Sequence, residues 1–442
     1  MHEISFDEGV EVVLDSLLND RLALLAGAGL SMAPPSLLPS AAAVAATAKH
    51  RYDATYGMTR PGLPEKVEEQ AEFFFQRGEL ATVYFRTLID QDAFAGRPND
   101  GHYAVADLLL VRAIQTGVTT NVDTMIETAG QLLLGQVGIG VDGNGVATLP
   151  PETAPLLKIH GCRVTDPNNM TWAPGQLTAE PVAGRITSSE DWLKGRLLDR
   201  DLLIVGYWTD WDYLNAVLKA TLGTIHPARV IVIDPADGAT FAAKAPVLYE
   251  LGQRAITFFR RVSTSSSEFL AALRLAFSKS FVRRVLHSGI QVYHDHTGAN
   301  PPEAWTEPPA LDNGVLWQMR RDLEGCIPTQ PAHERRPPDE PLVGLTLLQL
   351  RAAGAAPDGS YWLLNGRRIR VLRAPNKPLH RVQRAFEGDT APIVAPDIII
   401  GVGAEAQSLS PSVARGETKP TIARGSTGRW MTRSEAVKEL DL

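Results

Sequence analysis

The sequence predicts an α/β protein built on a doubly wound, mostly parallel sheet, and three observations lead there. Over residues 1–280 short apolar runs alternate with stretches of helical spacing, the order that a parallel sheet with crossover helices requires. The first run, Leu22 to Ala26, is unbroken and ends at a glycine, which suits a buried strand. Small, amide, imidazole and carboxylate residues follow several of these runs directly, at the strand ends where doubly wound sheets bind ligands.

The elements follow in order. Val10, Val13, Leu14, Leu17 and Leu18 recur at helical spacing and give an amphipathic opening helix ahead of the Leu22–Ala26 strand. Helical patterns cover Pro64–Arg77, Leu80–Ile89 and His102–Gln115. Strands are expected at Gly117–Thr120, Leu156–Ile159, Leu202–Val205, Val230–Ile233 and Ala255–Phe259. Thr187 with Glu190, and Ser265 with Glu268, have capping-box spacing and read as helix starts. Together these make a Rossmann-like sheet with inserted helices, without internal repeats.

From residue 281 the texture changes. Residues 296–341 are rich in Pro, Asp and Glu, with a helix-like segment near Val315–Leu323. Ser360–Leu364 and Arg368–Leu372 flank Asn365-Gly366, a dipeptide suited to a type I′ hairpin turn. The end of the chain reads as a helix capped by Thr432 or Ser434. Residues 281–442 are therefore expected to form a C-terminal α+β module, for partner docking or oligomerisation.

Bulk properties bound the function. At 442 residues the chain is expected to hold two or three domains, and 44% apolar with 21% charged residues is a globular composition. Forty-three Lys and Arg against 50 Asp and Glu leave a net charge of −7, which argues against coating nucleic acid by bulk charge. Two cysteines, Cys162 and Cys326, cannot build a four-thiolate zinc site or a disulfide scaffold. No apolar run is long enough to span a bilayer, and the start is acidic, without a signal-peptide pattern. A cytoplasmic location is expected.

Five motifs could carry chemistry. Gly27-Ala28-Gly29-Leu30-Ser31 follows the first strand, where small residues allow close approach to a pyrophosphate; it also reads as a tight structural turn. Thr119-Thr120-Asn121-Val122-Asp123 puts an amide and a carboxylate at a strand end, or caps the next helix. Lys158-Ile159-His160-Gly161 sets a histidine where it could act as a general base, or serve the structure. Leu203 to Tyr207 ends at Gly206 and precedes Trp208, Asp210 and Asp212, an acidic helix start. Val230 to Asp234 ends in an acid suited to a ribose.

This order, a GAGxS loop, TxNVD, KIHG, a VGY strand end and an apolar strand with an acidic terminus, resembles the sirtuins over residues 20–260. The Thr-Thr-Asn-Val-Asp form, followed by Ile126-Glu127, resembles the sirtuin-like NAD hydrolases of bacterial antiphage defence, a branch without the zinc module. The resemblance implies NAD as substrate and no zinc. It implies Asn121 and His160 as catalytic residues, with Gly27, Ala28, Gly29, Ser31, Thr120, Asp123, Gly206 and Asp234 binding the dinucleotide. The four-cysteine module of deacylating sirtuins is missing, Thr120 stands where they carry glutamine, and Met32–Pro39 replaces their Gly-Ile-Pro-Asp-Phe-Arg segment. These departures weigh against an acyl-lysine substrate.

The expected function is thus cleavage of NAD to nicotinamide and ADP-ribose by a gated effector of abortive infection. The alternatives are a catalytically silent NAD or ADP-ribose sensor and a protein deacylase. The resemblance further implies a homo-oligomer and a HerA-type ATPase or Argonaute-like partner, with no membrane. Arg367, Arg368, Arg370, Arg373, Lys377, Arg381 and Arg384 crowd one stretch without an acid between them. It reads as a solvated hairpin face or as a docking surface for nucleic acid or an acidic partner.

Overall fold

The computed structural model describes the chain except residues 60, 151–152, 198–199, 208–227, 256–257, 326–336, 387–388, 390–393 and 406–427. Trp208, Asp210, Asp212 and Cys326 therefore lie outside the described residues. The chain divides into two compact units, Met1–Leu132 with Gln136–Leu273, and Arg274–Leu442 with Leu133–Gly135. The division falls within the helix Ser266–Ser288.

The first unit holds eight strands: β1 (His2–Glu3), β2 (Leu22–Ala26), β3 (Thr116–Thr119), β4 (Ile139–Gly140), β5 (Leu156–Lys158), β6 (Asp201–Val205), β7 (Arg229–Ile233) and β8 (Phe258–Val262). They lie in the order β1-β8-β7-β6-β2-β3-β5-β4, every pair parallel. From β2 the chain steps outward through β3 to β5, then returns to β2's other side and proceeds through β6, β7 and β8. This is a Rossmann-like doubly wound sheet whose switch point lies between β2 and β6.

Burial explains why the strand signals were readable. Ala23, Leu202, Ile204, Val230 and Val232 pack on one face with Leu193, Phe241 and Leu248. The alternate residues Leu22, Leu24, Leu203, Val205, Ile231 and Ile233 are buried as well, so both faces are covered and the strands read as apolar runs. The opening helix α1 (Phe6–Leu18) is capped by Ser5, whose hydroxyl accepts the Glu8 N–H. α2 (Gly29–Met32), α3 (Ala41–Tyr56), α4 (Val67–Phe75), α5 (Asp100–Leu110) and α6 (Met125–Leu132) follow, with Leu80–Leu88 wound as a π-helix between α4 and α5. Tyr52, Phe74, Tyr84 and Phe85 make a separate aromatic core for this helical insertion.

Three expectations are corrected. The helix expected to start at Thr187 runs Val182–Leu197; Thr187 lies inside it, its hydroxyl donating back to the Ala183 carbonyl, so the Thr187–Glu190 spacing is no cap. The strand expected at Ala255–Phe259 is Phe258–Val262, because Arg260 and Arg261 lie beyond the apolar run and still continue the pairing to β7. The Ser265 start holds, its hydroxyl accepting the Glu268 N–H, but Glu268 itself accepts from Thr264.

The second unit is a mixed five-stranded sheet: β9 (Ala356–Asp358), β10 (Tyr361–Leu364), β11 (Arg367–Arg373), β12 (Ile398–Val402) and β13 (Arg429–Thr432), ordered β13-β12-β11-β10-β9. β9, β10 and β11 are antiparallel, while β11, β12 and β13 are parallel. Asn365 and Gly366 both take positive φ, 51° and 75°, as the type I′ turn between β10 and β11 needs. The helix Arg433–Leu440 carries a capping box between Thr432 and Glu435. No described helix is long and apolar enough to cross a membrane.

Candidate active site

The described residues proposed for the site lie at the carboxyl ends of β2, β3, β5, β6 and β7, on both sides of the switch point. What holds the centre together is backbone contact between two glycine turns. Gly27 donates to the Val205 carbonyl and Gly29 to the Gly206 carbonyl, each at 2.9 Å. A Cβ on Gly206 would come within 2.5 Å of the Leu30 nitrogen, and Gly206 has a φ of +58°. Gly27 and Gly29 are equally confined, their Cβ positions 2.5 and 2.8 Å from Gly206 backbone atoms. Gly206→Ala should therefore destabilise the first unit by about 3 kcal/mol through strain and displacement of this turn. Urea denaturation checks this, and a midpoint within error of wild type would remove the steric argument.

The same loop also bonds within itself. The N–H groups of Gly27, Gly29, Leu30 and Ser31 all donate to backbone carbonyls, those of Val205, Gly206, Gly27 and Ala28. These four amides are engaged in the turn itself, which is the tight structural turn that the sequence also allowed.

The polar centre forms around Ser31, on α2. Its hydroxyl donates to Asp123 Oδ2 at 2.8 Å, accepts from Asn121 Nδ2 at 3.0 Å and lies 3.0 Å from His102 Nε2. Asn121 and Asp123 reach it from the loop after β3. Thr119 shapes that loop, its hydroxyl donating to the Ala26 carbonyl and accepting the Asn121 N–H. Asp123 Oδ1 accepts the Met125 N–H and so caps α6, which makes the capping and site readings of this motif compatible. Asn121 Oδ1 is buried and has no hydrogen-bond partner.

The sequence reading missed His102 and Asn99, which enter from the start of α5. They form a capping box: Asn99 Oδ1 accepts the His102 N–H, and His102 Nδ1 accepts the Asn99 N–H. Asn99 Nδ2 also donates to the Leu30 carbonyl at 2.8 Å, tying α5 to the β2 turn. The signal was present as the Asn-x-x-His spacing, which the helical pattern read from His102 onward passed over.

His160 lies beyond β5, half-buried, with its ring near the Thr120 backbone. Burial lowers its pKa to about 4 against the opposing Thr120 hydrogen bond, so the ring is neutral at pH 7 and competent to accept a proton. Behind it the buried Lys158 ammonium donates to Glu127 at 2.7 Å and to the Asp123 carbonyl, tying the loop after β3 to β5. Asp234 is on β7's end, but its Oδ1 accepts the Ala236 N–H and the structure does not bring it into the Ser31 centre. Among the described residues no group of three or more His, Cys, Asp or Glu side chains could hold a metal ion.

The buried histidines make stability pH-dependent with a definite sign. His102 is held at about 4 by burial, despite the pull of Asp123, against 6.5 for a free imidazole. The unfolded chain takes up that proton first, so stability is full above pH 6.5, falls as pH drops towards 4 and levels off below. His102 alone contributes about 3 kcal/mol to this loss. Urea unfolding from pH 7.5 to 4 measures it, and a wild-type loss no larger than that of His102→Gln would contradict the assignment.

No family model matches the chain, and no curated protein matches it. Among solved structures it is similar to a Sir2 homologue in complex with NAD, at 16% identity, 60% of this chain, 94% of that one and a TM-score of 0.34. It is also similar to Sir2 bound to an acetylated peptide, at 13% identity, 60% and 98% coverage and a TM-score of 0.34. A third, a Sir2 enzyme studied for mechanism and regulation, gives 14% identity, 62% and 98% coverage and 0.30. Likenesses this slight carry no argument here. The Rossmann-like class rests on the chain's own strand order.

Proposed function

We propose that this chain hydrolyses NAD, breaking the bond between nicotinamide and ribose with water to give nicotinamide, ADP-ribose and a proton. The observation that carries the reading is Asn121. Its amide nitrogen is committed to Ser31, while its carbonyl oxygen is buried without a donor among the described residues, at the end of β3, the strand next to β2. A ribose hydroxyl or a water would supply that donor. The motif order GAGxS, TTNVD, KIHG and VGY supports NAD as the molecule that brings it.

Nicotinamide leaves as a neutral base from a cationic nucleoside, so the protein's work is to orient the ribose and water and to receive a proton. In this proposal Asn121 Oδ1 orients the ribose hydroxyl or the attacking water, and neutral His160 accepts the proton. Ser31, Asn121 and Asp123 are 2%, 7% and 7% exposed, an enclosure that suits a site opened by assembly or by a partner. The test is nicotinamide release from NAD by purified protein, alone and with a HerA-type ATPase or an Argonaute-like protein. ADP-ribose binding without release in any combination would favour a silent sensor; neither binding nor release would end the NAD reading.

A further inference from the structure

We infer that His102 is a positioning residue for the proposed reaction, acting through Ser31 to hold the Asn121 carboxamide, its Oδ1 turned outward, in place for the substrate. The inference rests on the NAD reading above and concerns a residue that does not itself meet the substrate.

The directions of the bonds around Ser31 follow from a count of its protons. The Ser31 hydroxyl has one proton and two lone pairs, and three polar atoms surround it at 2.8 to 3.0 Å. Asp123 Oδ2 is an acceptor, so it takes the serine proton. The two lone pairs then need two donors. Asn121 Nδ2 is one and His102 Nε2 is the other, provided the ring carries its proton on Nε2.

The far side of the ring decides that point. His102 Nδ1 faces the Asn99 N–H at 3.2 Å, and a backbone donor requires a bare nitrogen there. Ser36 Oγ is also near Nδ1, but at 3.5 Å, and its own proton goes to the Arg97 carbonyl at 2.7 Å. Nδ1 is therefore the acceptor and Nε2 the donor. Every bond around Ser31 now has one direction: Asn99 N–H to His102, His102 to Ser31, Ser31 to Asp123, and Asn121 to Ser31.

The consequence lies at Asn121. Because the serine proton is spent on Asp123 and one lone pair on His102, the remaining position accepts only a donor. The carboxamide must turn its NH2 to Ser31 and its Oδ1 outward, where it has no partner. Without the His102 donor the serine proton still goes to Asp123, but one lone pair is left without its partner and the hydroxyl loses a contact that fixes its position. The carboxamide that donates to it, and the Oδ1 it turns outward, are then held less firmly against the substrate.

The test is a set of variants with NAD turnover, ADP-ribose binding and urea unfolding read on each. His102→Phe should cut kcat tenfold or more, with a smaller change in ADP-ribose affinity. His102→Gln, which restores an N–H donor to Ser31, should recover most of the rate. In an Asn121→Ala background His102→Phe should lower residual turnover no further, although it should cost the same stability as in wild type. If His102→Phe fails to fold, Ser31→Ala replaces it and should show the same non-additivity with Asn121→Ala. Nitrogen-15 shifts of the His102 ring, assigned against His102→Gln, should show Nε2 protonated and Nδ1 bare; the opposite tautomer would overturn the proposal without any reference to NAD. A turning-over wild type with undiminished His102→Phe, or additive losses in the double variant, would overturn the positioning role alone. A wild type that neither binds nor cleaves NAD would take the functional reading down with it.

Discussion

Asn121→Ala should lower kcat for nicotinamide release by about 10²–10⁴-fold, leaving a residual rate, while the first unit stays folded. The side chain makes one described hydrogen bond, to Ser31, and its oxygen makes none, so truncation should cost only about 1 kcal/mol of stability. The loop does not depend on it, because Thr119 ties the backbone on both sides, to Ala26 and to the Asn121 N–H. His160→Ala should give a loss of similar size by removing the proton acceptor, since a base that is neutral at pH 7 contributes through transfer in the transition state. Its pH profile separates the roles: wild-type turnover should be flat from pH 8 to 5.5 and fall towards pH 4, where His160 titrates. Turnover by Asn121→Ala within tenfold of wild type would sink the assignment. A wild-type profile with its midpoint near 6.5 would mean that the titrating group is not this buried ring.

The first unit was legible because its strands are covered on both faces. Burial of successive residues in Leu22–Ala26 and Val230–Ile233 writes an apolar run into the sequence, and the site residues follow such runs at the strand ends. The two-residue strands β1 and β4 are too short to leave a pattern, and α3, with alanine at seven of its 16 positions, shows no apolar face. At the site, the glycines read both as a phosphate loop and as a tight turn, but the sequence could not show that their spacing also meets a neighbouring turn, Gly206, more than 170 residues away. His102 was invisible as chemistry for the opposite reason: it is local, disguised as the third residue of a helix. In the second unit the basic stretch misled, because a sequence shows cations that are adjacent and hides the acids they meet.

Those acids make the second large prediction. Arg370 and Arg373, two of the seven cations expected on a solvated or docking face, are 4% and 9% exposed. Arg370 forms a two-pronged pair with Asp322, both bonds at 2.7 Å, and shares Asp389 with Arg321. Arg373 grips Asp339 and donates to the Glu324 carbonyl. Burial opposes the charge on Asp389, yet Arg321 and Arg370 together hold its carboxyl below the usual carboxylate range. Arg370→Leu leaves the buried Asp322 and Asp389 carboxylates with Arg321 as their shared cation, 3.7 Å from Asp322 and 2.7 Å from Asp389, and should destabilise the second unit by about 3 kcal/mol. Reversing the whole stretch to Glu would therefore unfold this sheet before it could report on docking. Lys377, Arg381 and Arg384 are the exposed members, around the helix Leu379–Ala385, and reversing these three should change stability by no more than about 0.5 kcal/mol each. If nucleic acid docks here, the triple reversal should lower the salt dependence of binding by about three ionic contacts, a change of roughly 2–3 in the slope of log K against log salt. An unchanged slope would make the stretch a structural one, its two buried arginines serving the sheet and its three exposed cations serving solubility.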